Sequence, residues 1–92
     1  MSKVERSIDR IVRQCGHKKI KMRSVQAMAR LQDTVIGSTF GNVTDSRILD
    51  DLTDLYICLQ TLKVVYDITD QEFEMLTRYK IEKMVDSYRK ER

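Results

Sequence analysis

Proline and tryptophan are missing from this 92-residue sequence, and glycine occurs only three times. Proline and glycine are the residues that most weaken a helix interior, so their scarcity predicts long helices. No stretch approaches the roughly 18 consecutive apolar residues of a membrane span. The opening MSKVERSIDR is charged where a secretion signal needs an apolar core, which predicts a cytoplasmic chain. The two cysteines, Cys15 and Cys58, lack CxxC spacing and sit in apolar helical patterns, as reduced structural thiols do. The single histidine, His17, has no companion at a ligand spacing, so neither metal nor catalytic work is assigned to it.

Charge is plentiful but uneven. Residues 1–30 hold nine Lys or Arg against Glu5 and Asp9, a balance of +7, whereas residues 31–92 hold eight against twelve acids, a balance of −4. Such asymmetry suits a solvated basic surface, an anion-binding patch or a self-complementary assembly. No nucleic-acid-binding motif or stacking aromatic accompanies Arg10, Arg13, Lys18, Lys19, Lys21 and Arg23, so nucleic acid is not the expected partner. The length fits one domain, residues 1–92, near the lower limit for a self-sufficient core.

Hydrophobic spacing predicts four helices. Ser2 can cap the first, whose stripe is Val4, Ile8, Ile11, Val12 and Cys15, with Gly16 as its stop. Residues 17–23, HKKIKMR, read as a basic connector or as the first turn of a second helix. That helix continues through Val25, Met28, Leu31 and Val35 to about Ile36 and ends at Gly37. GSTFGNV, residues 37–43, forms a loop without the GxxxxGK[ST] pattern of a phosphate cradle. A third helix, capped by Thr44 or Asp45, runs to Tyr66 with a stripe of Ile48, Leu52, Leu55, Leu59, Leu62 and Tyr66. Ile57 and Val64 add apolar positions on its other face, which marks them as oligomer-interface residues. Thr69 with Glu72 forms a capping box, and Ile68 with Phe73 a hydrophobic staple, so a fourth helix starts after a very short turn. It runs through Ile81, Met84, Val85 and Tyr88 and frays in the RKER tail, residues 89–92. The short turn predicts that helices three and four form an antiparallel hairpin.

Asp51 and Asp54, at i and i+3, project two carboxylates from neighbouring points on the third helix. The stretch DDLTDLYICLQTLKVVYDITDQEFEMLTRYKIEKMVDSYRKER, residues 50–92, resembles the C-terminal half of small phage-type MazG-like nucleoside triphosphate pyrophosphohydrolases. The DxxD helix, the capped turn and the YKxxK helix, in that order, carry the resemblance. It implies an all-α, four-helix MazG-like bundle completed by pairing into dimers or tetramers. It also implies Mg²⁺ held by ExxE on the second helix and ExxD on the third, in a protein of phage origin acting in the host cytoplasm.

Asp51 and Asp54 match the second of these motifs, with aspartate for the usual first glutamate. The first motif falls on Ala27 and Arg30, within QAMARLQD. Alanine offers no ligand, and arginine opposes a cation while being able to pair with Asp51 or Asp54 across helices. The metal pair Asp51 and Asp54 is therefore incomplete, no catalytic residue is assigned and no cofactor is expected. Mg²⁺ enters only if ligands have been relocated and pyrophosphohydrolase activity survives. Lys80 and Lys83 lie where the family places phosphate-contacting residues. With Arg30 they form the expected phosphate- or nucleotide-binding set. The resulting expectation is a pseudoenzyme that binds a nucleotide or signalling nucleotide without hydrolysis, with a protein-interaction module or inhibitor as the alternative.

Overall fold

Four helices account for nearly all of residues 2–90, the part of the chain that the computed structural model describes. They are α1 (Lys3–Cys15), α2 (His17–Thr39), α3 (Asp45–Val65) and α4 (Asp70–Lys90), with no strand among the described residues. Three of the starts follow the capping chemistry legible in the sequence. The hydroxyl of Ser2 accepts from Glu5 N at 3.1 Å, that of Thr44 from Arg47 N at 3.4 Å, and that of Thr69 from Glu72 N at 3.1 Å. Each satisfies one of the amides that a first turn leaves without a helical partner.

The stops are less obvious. Gly16 (φ 81°) ends α1 and starts α2 with nothing between, so residues 17–23 belong to α2 rather than to a connector. Gly37, the expected stop of the second helix, is itself helical, and α2 runs on to Thr39. Gly41 (φ 73°) takes the left-handed position instead. Gly41 N donates to Ser38 O and Asn42 N to Gly37 O, both at 3.1 Å, which is the paired closure of a Schellman turn. The role of Gly37 is spatial: a Cβ there would lie 2.7 Å from Val43 Cγ2, so its bareness lets the chain fold back. α3 ends by the same device, with Asp67 (φ 56°) in the left-handed position, Asp67 N donating to Val64 O at 3.2 Å and Ile68 N to Lys63 O at 2.8 Å.

α2 and α3 form the main helix pair, and α1 packs against both. Thr34 meets Asp51 near one end of the pair, while Lys21 Nζ stands 5.1 Å from the centre of the Tyr66 ring at the other, so the two helices run antiparallel. The inward residues of α2, Ile20, Ser24, Ala27, Leu31 and Thr34, step by four and three. Those of α3, Asp51, Leu55, Cys58, Leu62 and Val65, do the same, as in coiled-coil seams. The buried apolar core among the described residues is small: Val12, Ile20 and Ala27. The stripe expected to fill it from the third helix divides in two. Ile48, Leu55 and Leu62 are half-buried, whereas Leu52, Leu59 and Tyr66 are exposed.

The all-α class with four helices is as expected, but the α3–α4 hairpin is not seen. α4 packs along none of the other helices, and none of its residues is buried. It is tied to α3 only through its first turn, where Lys63 pairs with Asp70 and its Nζ lies 4.9 Å from the centre of the Phe73 ring. Four residues, 66–69, separate the two helices, and among them a left-handed Asp67 turns the chain sharply, so the short connection does not fold α4 back. The helix remains ordered through Lys90, where fraying over 89–92 is expected; Glu91 and Arg92 lie outside the described residues. No helix among the described residues is long and apolar enough to cross a membrane.

Candidate functional site

The N-terminal half of α3 gathers three carboxylates. Asp50, Asp51 and Asp54 occupy i, i+1 and i+4, and a ligand oxygen from each lies within 4.8 Å of the others. Asp50 is exposed, Asp54 half-buried and Asp51 only 8% exposed. A carboxylate so buried requires a hydrogen-bond partner, and Thr34 supplies it by donating its hydroxyl to Asp51 Oδ2. Thr34 is 1% exposed, and its hydroxyl also lies 2.9 Å from the carbonyl oxygen of Arg30, one turn back on α2. One proton therefore serves two acceptors, and Asp51 is held against α2 by a neutral group.

Arg30 does not take that place. Its side chain is exposed and makes no ion pair with Asp51 or Asp54; the ion pairs among the described residues are Lys63–Asp70 and Arg78–Glu74. The antiparallel register explains the outcome, because it sets Asp51 beside Thr34, a full turn beyond Arg30. Ala27 is buried at 2% exposure and contributes a methyl group to the α2–α3 seam.

Lys80 and Lys83 stand on the exposed length of α4, and Lys83 Nζ rests 4.9 Å from the centre of the Tyr79 ring. Since α4 packs along neither α2 nor α3, one protomer does not assemble Arg30, Lys80 and Lys83 into a single site. Ile57 and Val64, the expected interface residues, are exposed on the flank of α3. Val64 also lines a groove of about 790 Å³ between α1, α3 and the start of α4, together with Val4, Ile8, Tyr56, Ile68 and Phe73. Cys15 and Cys58 are free and half-buried, and Arg23 Nη1 lies 3.4 Å from Cys15 Sγ. His17 is exposed at the start of α2, outside the carboxylate cluster.

The donor set can be weighed against the Mg²⁺ that the MazG-like resemblance implies. Mg²⁺ favours octahedral oxygen ligation through one or two carboxylates, with water and substrate phosphates completing the shell. A two-helix triphosphate site would need oxygens from both sides, yet here all three carboxylates come from α3. From α2 come a hydroxyl already engaged with Asp51, a methyl group and a cationic side chain. These residues do not fit that metal arrangement. Thr34 is the member of the site that sequence reading passed over. Its signal was its place in the four-and-three stepping of α2, where a polar residue in an inward position needs a partner.

No protein-family model matches the chain, no curated protein matches it significantly, and no solved structure does so. The MazG-like resemblance therefore rests on the residues that carry it.

Proposed function

We propose that this chain is a catalytically degenerate MazG-like protein that binds a nucleotide or signalling nucleotide through its phosphates without hydrolysing it. The observation that carries this reading is the state of Asp51: a carboxylate matched to a metal motif is buried against Thr34, while the opposing motif positions are a buried alanine and an exposed arginine. That environment stabilises a helix interface rather than a dehydrated cation. Phosphate recognition would fall to Arg30, Lys80 and Lys83, with the planar arginine fork engaging oxygens directly. This is a phage-type protein of the host cytoplasm that works as a homo-oligomer. The test is calorimetry with mono-, di-, tri- and cyclic nucleotides, alongside an assay for pyrophosphate release with Mg²⁺ or Mn²⁺. Binding without release is expected. Release that disappears in Asp54→Ala would establish the pyrophosphohydrolase instead, and no binding across the panel would remove the nucleotide reading.

The exposed apolar faces of α3 and α4 favour a second reading, a protein-interaction module or inhibitor. It predicts a chain that is monomeric alone and acquires a stable stoichiometric complex with another protein.

A further inference from the structure

The protomer leaves far more surface in water than a compact chain of its mass. Its accessible area is 7871 Å² at 10.9 kDa, whereas a globular monomer of that mass exposes about 5,600 Å². Its radius of gyration is 16.2 Å, against about 12 Å for a compact chain of this length. The excess, roughly 2,300 Å², is of the size that one subunit contributes to an obligate interface.

The surplus is organised into two complementary faces. On α3, Leu49, Leu52, Tyr56 and Leu59 follow one another in steps of three and four, a heptad seam turned away from the residues that face α2. Leu49 is 67% exposed and Tyr56 62%. On α4, Phe73, Ile81, Met84, Val85 and Tyr88 form one exposed stripe. Each helix has 21 residues, about 31 Å at 1.5 Å per residue, so either seam can be covered along its whole length by the other. Most helical stability in proteins comes from packing an amphipathic face, and α4, with no buried residue, lacks that packing within the protomer.

Charge sets the direction. The first half of α3 carries Asp45, Asp50, Asp51 and Asp54 against Arg47, and its other cation, Lys63, lies near its end, paired with Asp70 of the same chain. α4 has the opposite order, beginning with Asp70, Glu72 and Glu74 and ending with Lys80, Lys83, Arg89 and Lys90 among fewer acids. Antiparallel contact sets the basic end of α4 against the acidic first half of the partner's α3, whereas parallel contact would set the acidic starts of both helices side by side.

We infer that the occupant of the α3 seam is α4 of a second copy of this chain, docked antiparallel and reciprocally in a two-fold dimer. The exchange covers both apolar faces at once. It also carries Lys80 and Lys83 of each protomer toward the Asp50–Asp54 end of its partner's α3, onto the helix pair that bears Arg30. This geometry rests on the self-association proposed above and adds which surfaces form it.

The test uses the full chain with Leu59→Lys and Met84→Glu variants, light scattering coupled to size-exclusion chromatography, and circular dichroism to follow helicity. The parent is expected at twice the chain mass, and each variant alone as a monomer. Mixing the two should restore the dimer, because the mixture contains one intact α4–α3 contact. Milder Leu59→Ala and Met84→Ala variants, which keep the helices, should each weaken dimerisation at least tenfold. A monomeric parent would overturn both the self-association and this geometry. A dimer that resists either substitution, or no recovery on mixing, would overturn the geometry alone.

Discussion

The hydroxyl of Thr34 donates to Asp51 Oδ2 across the α2–α3 seam, joining two of the four buried polar side chains among the described residues. Removing one member of such a pair leaves the other buried without compensation, which costs about 1–3 kcal/mol. Thr34→Val should therefore lower the unfolding free energy by that amount, while Asp51→Asn, which keeps an acceptor, should lower it less. Combining Thr34→Val with Asp51→Leu should recover most of the loss, since neither partner then seeks a hydrogen bond. Urea unfolding at one protein concentration reads this directly; the concentration is held constant because self-association adds to apparent stability.

Asp50 and Asp54 form a like-charged pair at i and i+4 beside Asp51. Like charges at that spacing destabilise a helix by about 0.2–0.5 kcal/mol. Asp50→Asn should thus raise the thermal midpoint by one to a few degrees, roughly the shift that such an energy produces in a domain of this size. The gain should shrink in high salt, where exposed charges are screened. Equal gains at low and high salt would mean that charge repulsion is not its source.

Gly37 sits inside α2, where alanine would ordinarily be favoured by about 1 kcal/mol. The new methyl group would meet Val43 Cγ2 at 2.7 Å, and valine is stiff about χ1 and yields poorly. Gly37→Ala should consequently destabilise the protein in spite of its better helix propensity. The same change made with Val43→Ala should become neutral or favourable. Thermal unfolding of the two single variants and the double variant closes this cycle.

Local chemistry was legible where it depended on near neighbours. Ser2, Thr44 and Thr69 cap the helices that their positions announced, and Gly16 ends the first. Gly37 was the stop that spacing announced, but Gly41 takes the left-handed position, and Gly37 instead makes room for Val43, a contact that spacing does not encode. The six-residue stripe of α3 was legible as apolar, but its division between α2 and solvent depends on helix packing, which spacing alone does not encode. The same holds for the candidate site. The carboxylates at Asp51 and Asp54 are visible as a motif, whereas the partner of Asp51 depends on inter-helix register. A one-turn offset replaces Arg30 with Thr34.

Asp67 is the described non-glycine residue with positive φ, at 56°, and it closes the Schellman turn that ends α3. The left-handed conformation costs an L-residue about 1–2 kcal/mol, less for aspartate, whose short polar side chain tolerates it. Glycine removes this strain but adds freedom to the unfolded chain, and the two effects oppose each other. At a left-handed helix stop the strain term should win, so Asp67→Gly should stabilise the protein by up to about 1 kcal/mol. Asp67→Val, which adds β-branching to the same φ, should destabilise it by more than that. Both are read by denaturant midpoints at one protein concentration. A stabilising Asp67→Val would show that α3 ends differently and that α4 leaves it at another angle.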